Sequence, residues 1–434
     1  MRILSTFLLV FCCIPWAYSQ AGHIMQGVGS VNMSMGGAAT GQPIDISGTL
    51  HWNPAGLVAF DQDQARLDLG FFFSSPELRS TVPEIDGSGQ PTGNFFSGLT
   101  EDDRGVSPLP SLAFVISSEE SKHHWGFSAF AISGFGVTFP ESASNPINMP
   151  QSMGGFGRVE SSYRLLQFGA AWAYELTDRF SIGIQPTFNY SDLELLPNPT
   201  ANPTAAGYPG TDRAVALGFG GQIGLFFDSG TGFKAGASYK TVQRFGSFEF
   251  DNTYLDGTQS TSEFSMDYPA IWSVGLGYSL GYVDLALDYR LVNYEGTEGF
   301  EASGWTPNAT VAGFGWDNVN IVSAGLQYKR FSGVPIRLGY TYSSNPISSE
   351  MAFFNIPATA IIKNAFQLGI GIEAGEHFQV DGTFHYGFSG DATSGPVYSP
   401  MLIGDNPPYG AVPASEVSYE MTTSMIMIGA QYRW

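Results

Sequence analysis

The chain has 434 residues, room for one large barrel or two ordinary soluble domains, and carries 39 acidic against 18 basic side chains for a formal charge of −21. That balance excludes a nucleic-acid partner, because phosphate binding depends on Lys and Arg. Only 13% of residues are charged while 14% are aromatic and 54 are glycine, which excludes a disordered acidic chain and fits an all-β protein with many turns.

Residues 1–19 read as an export signal. Arg2 supplies the short positive start, Ile3 to Ile14 the apolar core, and Ala17-Tyr18-Ser19 the small residues of a cleavage site before Gln20. Both cysteines, Cys12 and Cys13, fall inside it. The processed chain therefore has no disulfide and no thiolate metal ligand, and no cofactor or metal is expected. Beyond the signal no apolar run approaches the roughly 18 residues of a spanning helix. A membrane location then requires strands closed into a barrel, since lipid cannot satisfy an open sheet edge.

Residues 20–60 do not alternate in character and are rich in glycine and small side chains. A segment of this kind ahead of the first strand is either a plug for the lumen or a periplasmic tail. Met25, Met33, Met35, Leu50, Trp52 and Leu57 argue for burial.

Residues 61–434 form the barrel domain, in which one unit repeats: about ten residues of alternating apolar character, then turn residues. In ARLDLGFFF (65–73), Leu67, Leu69, Phe71 and Phe73 oppose Arg66 and Asp68. In YVDLALDYRL (282–291), Val283, Leu285, Leu287, Tyr289 and Leu291 oppose Asp284, Asp288 and Arg290. The pattern predicts strands centred near residues 69, 112, 129, 169, 185, 220, 238, 274, 287, 324, 339, 369, 383 and 428. Fourteen is an even number, as bacterial single-chain barrels require. The connections alternate between short turns, such as Leu176-Thr177-Asp178-Arg179, and long loops at roughly 75–106, 138–160, 193–213, 245–267, 293–317, 344–362 and 388–420. Short periplasmic turns opposite long extracellular loops define a transmembrane antiparallel β-barrel of the bacterial outer membrane. Tyr239, Tyr278, Tyr289, Tyr328, Tyr386 and Tyr432 near strand ends fit interfacial girdles. The chain closes on Ile428, Ala430, Tyr432 and Trp434 along one face, a terminal strand suited to recognition by the barrel assembly machinery.

The segment before the barrel resembles a known family. Gly36-Gly37-Ala38, then Asp45, then Trp52-Asn53-Pro54-Ala55-Gly56-Leu57 is similar to the amino-terminal hatch of FadL-type outer-membrane transporters, which include TodX-like aromatic-hydrocarbon channels. Asp267-Tyr268-Pro269-Ala270, Asn345-Pro346-Ile347 and Asn355-Ile356-Pro357 extend the likeness along the chain. The resemblance implies a monomeric fourteen-stranded barrel closed by a hatch, with Gly36, Gly37, Asp45, Asn53, Pro54 and Ala55 as its motif. It also implies uptake of long-chain fatty acids or other hydrophobic compounds, with lateral exit at an inward kink of the third strand. Gly134 and Gly136 flank Phe135 late in that strand; such glycines mark a bend or simply line a small-residue wall.

Parity places Arg66, Lys234, Lys240, Arg290 and Arg337 toward the lumen, where a carboxylate headgroup would want a cation. Asp68, Asp284, Asp288, Glu373 and Asp381 lie there too, so most of these cations are expected in wall salt bridges and one or two on ligand. Loop aromatics, among them Phe95, Phe96, Phe139, Tyr208, Phe353 and Phe354, form a capture surface or pack over the barrel mouth. The acidic last loop is solvated or shares divalent cations with lipopolysaccharide. A general porin would prefer an open lumen, and an outer-membrane enzyme would need a nucleophile near His123, His124, His377 or His385. No spacing supplies one, which leaves the hydrophobic-compound channel as the leading expectation.

Overall fold

The computed structural model describes residues 22–87, 90–117 and 120–434; the expected export signal, with Cys12 and Cys13, lies outside them. Fourteen antiparallel strands close into one cylinder. They are β1 (Gln64–Ile85), β2 (Val106–Ile116), β3 (His123–Phe139), β4 (Val159–Glu175), β5 (Phe180–Leu196), β6 (Ala214–Asp228) and β7 (Phe233–Lys240). The second half comprises β8 (Ala270–Leu280), β9 (Val283–Asn293), β10 (Val319–Tyr328), β11 (Ile336–Ser343), β12 (Asn364–Ala374), β13 (Phe378–Phe388) and β14 (Glu416–Arg433). Each predicted centre falls within its strand. Every strand pairs with the next, and β14 closes on β1 from Gln64↔Arg433 to Thr81↔Glu416. Closure satisfies backbone N–H and C=O groups that hydrocarbon cannot solvate.

Period-two alternation separates the two faces of the wall. Leu67 is 60% exposed on the lipid side while its neighbour Arg66 is 1% exposed on the lumen side. Aromatic side chains gather on the outside near the strand ends. Tyr239 packs 4.1 Å from Trp272 at the loop end, and Tyr432 stacks on Trp434 at the turn end. Beyond the barrel β1 continues as a hairpin with Pro91–Glu101, and Gly210–Thr211, Phe248–Thr253 and Gln259–Phe264 form a separate small sheet. Both regions fall in segments expected as loops; Phe248 and Phe250 are buried and alternate with exposed Glu249 and Asp251, a run too short to stand out against the barrel strands.

Residues 22–60 occupy the lumen, and nearly all of them are buried. Two short helices, α1 (Ser30–Ser34) and α2 (Ile46–Trp52), are followed by a 3-10 turn over Pro54–Ala59. Asp45 caps α2 by accepting from the backbone N–H groups of Ser47 and Gly48. Asn53 accepts from Ala55 N–H while its amide donates to the carbonyls of Thr40 (2.9 Å) and Leu225 (3.0 Å), fixing the turn to β6. Gly37 has φ +78, and a Cβ there would sit 1.7 Å from the Gln26 carbonyl oxygen. A Cβ on Gly36, at φ +68, would sit 2.7 Å from the Tyr340 carbonyl oxygen of β11.

Candidate functional site

The ladder between β2 and β3 has a gap, and two segments of sequence make it. β2 pairs with β3 only from Ser111↔Phe130 to Ile116↔Trp125, yet its earlier residues stay paired with β1 from Phe73↔Val106 to Leu69↔Pro110. Pro108 and Pro110 share one parity and have no N–H to donate. The intact ladder to β1 shows that their nitrogens face the opposite edge, where β3 has departed. β3 departs at a bulge: against β4 the register jumps between Ala131 and Ser133, so Ile132 is the extra residue.

Past the bulge, β3 takes a new partner from the lumen segment. Ile24 bridges Ser133; Met25 N–H donates to Ile132 O (3.0 Å), and Gly134 N–H donates to His23 O (3.1 Å). Ser133 Oγ also donates to His23 O. The parted strands and residues 23–26 enclose a cavity of about 500 Å³. Its wall is mainly apolar: Met25, Met33, Leu109, Ala131, Met421 and Met425 are among its lining residues. Gly134, Phe135 and Gly136, singled out from sequence, also line it, although the bulge itself sits two residues earlier. A Cβ on Gly136 would fall 2.0 Å from Arg104 Nη1, so the guanidinium lies directly over that glycine.

Polar groups cluster at one side of the cavity. Arg104 donates to Ser161 O (2.6 Å), and Arg164 pairs with Asp192 at 2.9 Å, a carboxylate that Arg213 also contacts. Asp102, in the loop carrying Arg104, accepts from Thr138 N–H at 2.5 Å, and burial raises its carboxyl above the usual range. Sequence parity missed Arg104, which lies outside any alternating run. The Pro-x-Pro of β2 was the readable signal for the gap.

The five cations expected on the lumen side lie elsewhere than this cavity. Arg66 pairs with Asp68 and Asp381, both at 3.0 Å, and donates to Ser30 Oγ (2.7 Å). Arg337 shares Asp381 at 2.7 Å. Arg290 pairs with Asp288 at 2.5 Å, donates to Gly37 O and lies 3.6 Å over the Trp52 ring. Lys240 donates to Gln167 Oε1 and approaches His51, and Lys234 stands 3.8 Å from Asp228. Three of these charges thus hold residues 22–60 against the wall: Arg66 through Ser30, Arg290 through Gly37 and Lys240 beside His51.

Of the histidines weighed for catalysis, His385 touches Gln367 and Thr423. His124 joins a hydrogen-bonded chain from Ser117 through its ring to Glu175, which spacing alone did not reveal. The Ser117 hydroxyl donates to Phe60 O (2.5 Å), so this chain ties the end of the lumen segment to the turn side of the barrel. Buried Phe353 and Phe354 line a second cavity of about 50 Å³ with half-buried Tyr208 and Trp305, Phe139 is buried, and Phe95 is exposed. Among the described residues no His, Cys, Asp or Glu group is arranged to hold a metal.

A closed fourteen-stranded cylinder, with buried residues 22–60 bonded to its inward-facing side chains and a cavity at a break in the wall, defines an outer-membrane barrel. Residues 12–434 match the model of the family described as outer membrane protein transport protein (OMPP1/FadL/TodX), and the chain belongs to that family of outer-membrane transport channels. Among solved structures, a Pseudomonas aeruginosa FadL homologue superposes with a TM-score of 0.70 at 13% identity, over 95% of this chain and 99% of that one. The Pseudomonas putida toluene transporter TodX gives 0.67 at 14% identity, covering 94% and 99%. The Ralstonia pickettii toluene transporter TbuX gives 0.64 at 14%, with the same coverage. At such identities the likeness establishes the fold alone. No curated protein matches the chain by sequence.

Proposed function

We propose that this protein carries hydrophobic small molecules, such as fatty acids, alkanes or aromatic hydrocarbons, across the outer membrane by diffusion, without chemistry. A molecule collected at the loop face enters the cavity and leaves sideways between β2 and β3 into the bilayer. The residues 20–60 act as the hatch that denies water a straight path. The observation that carries this reading is the coincidence of an apolar cavity with the stretch where the β2–β3 ladder ends. Each methylene entering such a pocket is stabilised by about 0.8 kcal/mol, and no cation or nucleophile is needed. Toluene transporters and a FadL homologue share the fold, which supports the substrate class. A general porin is disfavoured by the buried plug, and an enzyme by the Ser117 hydroxyl being committed to a carbonyl. The protein works as a monomer, meets lipopolysaccharide through its loops, and presents the strand ending in Trp434 to the assembly machinery.

Because the exported chain carries no native cysteine, a single engineered thiol is unique. Leu109→Cys places one in the cavity and Leu112→Cys one on the lipid face. Forming a mixed disulfide with a benzyl thiosulfonate, which releases the sulfinate, should cut uptake of a labelled hydrocarbon at least tenfold in the first variant and leave the second unchanged. Equal uptake in both after modification would refute lateral passage.

A further inference from the structure

His23 lines the cavity, and its ring is enclosed by aromatic side chains. It stacks on Phe300 at 5.0 Å and lies 5.7 Å from Tyr163, 5.9 Å from Tyr268 and 5.5 Å from Tyr294. Phe135 packs on both His23 and Tyr163 and also lines the cavity, as do those two residues. His23 and Tyr163 are 1% exposed and Tyr268 is 0% exposed. Tyr294 OH engages His23 Nδ1 at 2.9 Å. The remaining polar atoms of this cage, His23 Nε2, Tyr163 OH and Tyr268 OH, have no hydrogen-bond partner among the described residues.

Three orphaned polar atoms in one aromatic cage require an explanation, because each buried donor or acceptor left unmet is destabilising by about 1–3 kcal/mol. Phenylalanine would pack equally well at 163 and 268 without that cost. The hydroxyls therefore point to something polar that the cage receives. Its sign is also constrained. Burial pulls the His23 pKa down from 6.5 to about 3, so the ring is neutral. Arg104 and Arg164, which also line the cavity, are engaged by Ser161 O and by Asp192. A carboxylate in the cage would be a desolvated, uncompensated charge. A neutral hydroxyl can donate to one of these atoms and accept from another.

Resting on the transport reading above, we propose that the cage formed by His23, Tyr163 and Tyr268 is a headgroup site selecting hydrophobic molecules that carry one neutral hydroxyl, over both the bare hydrocarbon and the carboxylate. The apolar remainder of the molecule lies along Met25, Leu109 and Met425, and Phe135 stands at the junction of the two regions.

The test uses the full exported chain in lipid nanodiscs, with empty discs subtracted, and three probes of one shape: p-propylphenol, p-propyltoluene and p-propylbenzoate. The wild type should bind the phenol about tenfold more tightly than the toluene, the difference expected of one net hydrogen bond, and the benzoate more weakly than the phenol. Octanol against nonane asks whether an alkanol serves as the hydroxyl source in place of a phenol. In the variant Y163F/Y268F the preference for the phenol should vanish while toluene binding is unchanged, a pattern that general structural damage would not produce. Should that variant fail to fold, the wild-type ratios stand alone as the test. Equal binding of phenol and toluene by the wild type, as a trapped water would give, overturns the headgroup site and leaves the transport reading intact. Absence of protein-dependent binding for every probe overturns the transport reading itself.

Discussion

Asp288 anchors residues 39–40 to the wall. Its Oδ2 accepts from the backbone N–H groups of Ala39 and Thr40, both at 2.9 Å, and from Arg290 at 2.5 Å. Both side chains are about 1% exposed. Asp288→Ala removes two charge-assisted bonds to the plug and strands the Arg290 guanidinium, which still donates to Gly37 O and covers Trp52. Breaking a buried pair by deleting one partner costs about 3–5 kcal/mol. That cost falls on the seating of residues 36–40, since the β9 ladder does not use the carboxylate. Planar-bilayer recording should show a nearly silent wild type and an Asp288→Ala channel with frequent, large openings. Adding Arg290→Met removes the stranded charge, so the double variant should recover part of the lost stability, a coupling of about 1–3 kcal/mol in a double-mutant cycle. A silent Asp288→Ala channel with unaltered resistance to denaturant would show that the ion pair does not hold the plug, and the reasoning would be refuted.

Three further outcomes follow from the same geometry. Gly37→Ala combines a positive φ with a Cβ 1.7 Å from the Gln26 carbonyl and should cost at least about 2 kcal/mol, read as a lower unfolding midpoint in denaturant with the β-sheet spectrum of the refolded barrel retained. Asn53→Ala loses the donations to Thr40 and Leu225 carbonyls and should weaken the plug by about 1–3 kcal/mol, seen as faster hydrogen exchange across residues 40–57 and little change in the strands. Removing Trp434 takes away a backbone bond to Asp63 and ring contacts with Tyr432 and Phe114. Outer-membrane yield in cells should fall severalfold while the protein refolded in detergent keeps its sheet content; a normal cellular yield would count against a targeting role.

The strand framework was legible because lipid outside and polar matter inside impose opposite demands on alternate residues. Leu67 against Arg66 and Leu287 against Asp288 carry that contrast in the sequence. The hairpin from Glu77 to Glu101 was not legible, since its buried face at Leu78, Ser80 and Thr100 is covered by the distant Asn145, a contact no local period encodes. Parity placed Arg66, Arg290 and Arg337 inward, but their partners include Ser30 and Gly37, far away in sequence, and no period encodes such pairings. The same holds for the cavity. Gly134 and Gly136 marked the right neighbourhood, yet the bulge at Ile132 is paired with residues 23–25, a contact across more than 100 positions. Pro108 and Pro110 were a local signal for an unpaired edge, and reading them as such would have located the gap from sequence.

The account depends most on where a hydrophobic molecule resides inside this barrel. A diazirine-bearing alkane, photolysed with the protein in nanodiscs and mapped by mass spectrometry, reports that directly. Labels on Leu109, Ala131 and Met425 that an unlabelled alkane displaces are the predicted result. Labels confined to lipid-facing residues such as Leu112 and Phe127, indifferent to competitor, would contradict it.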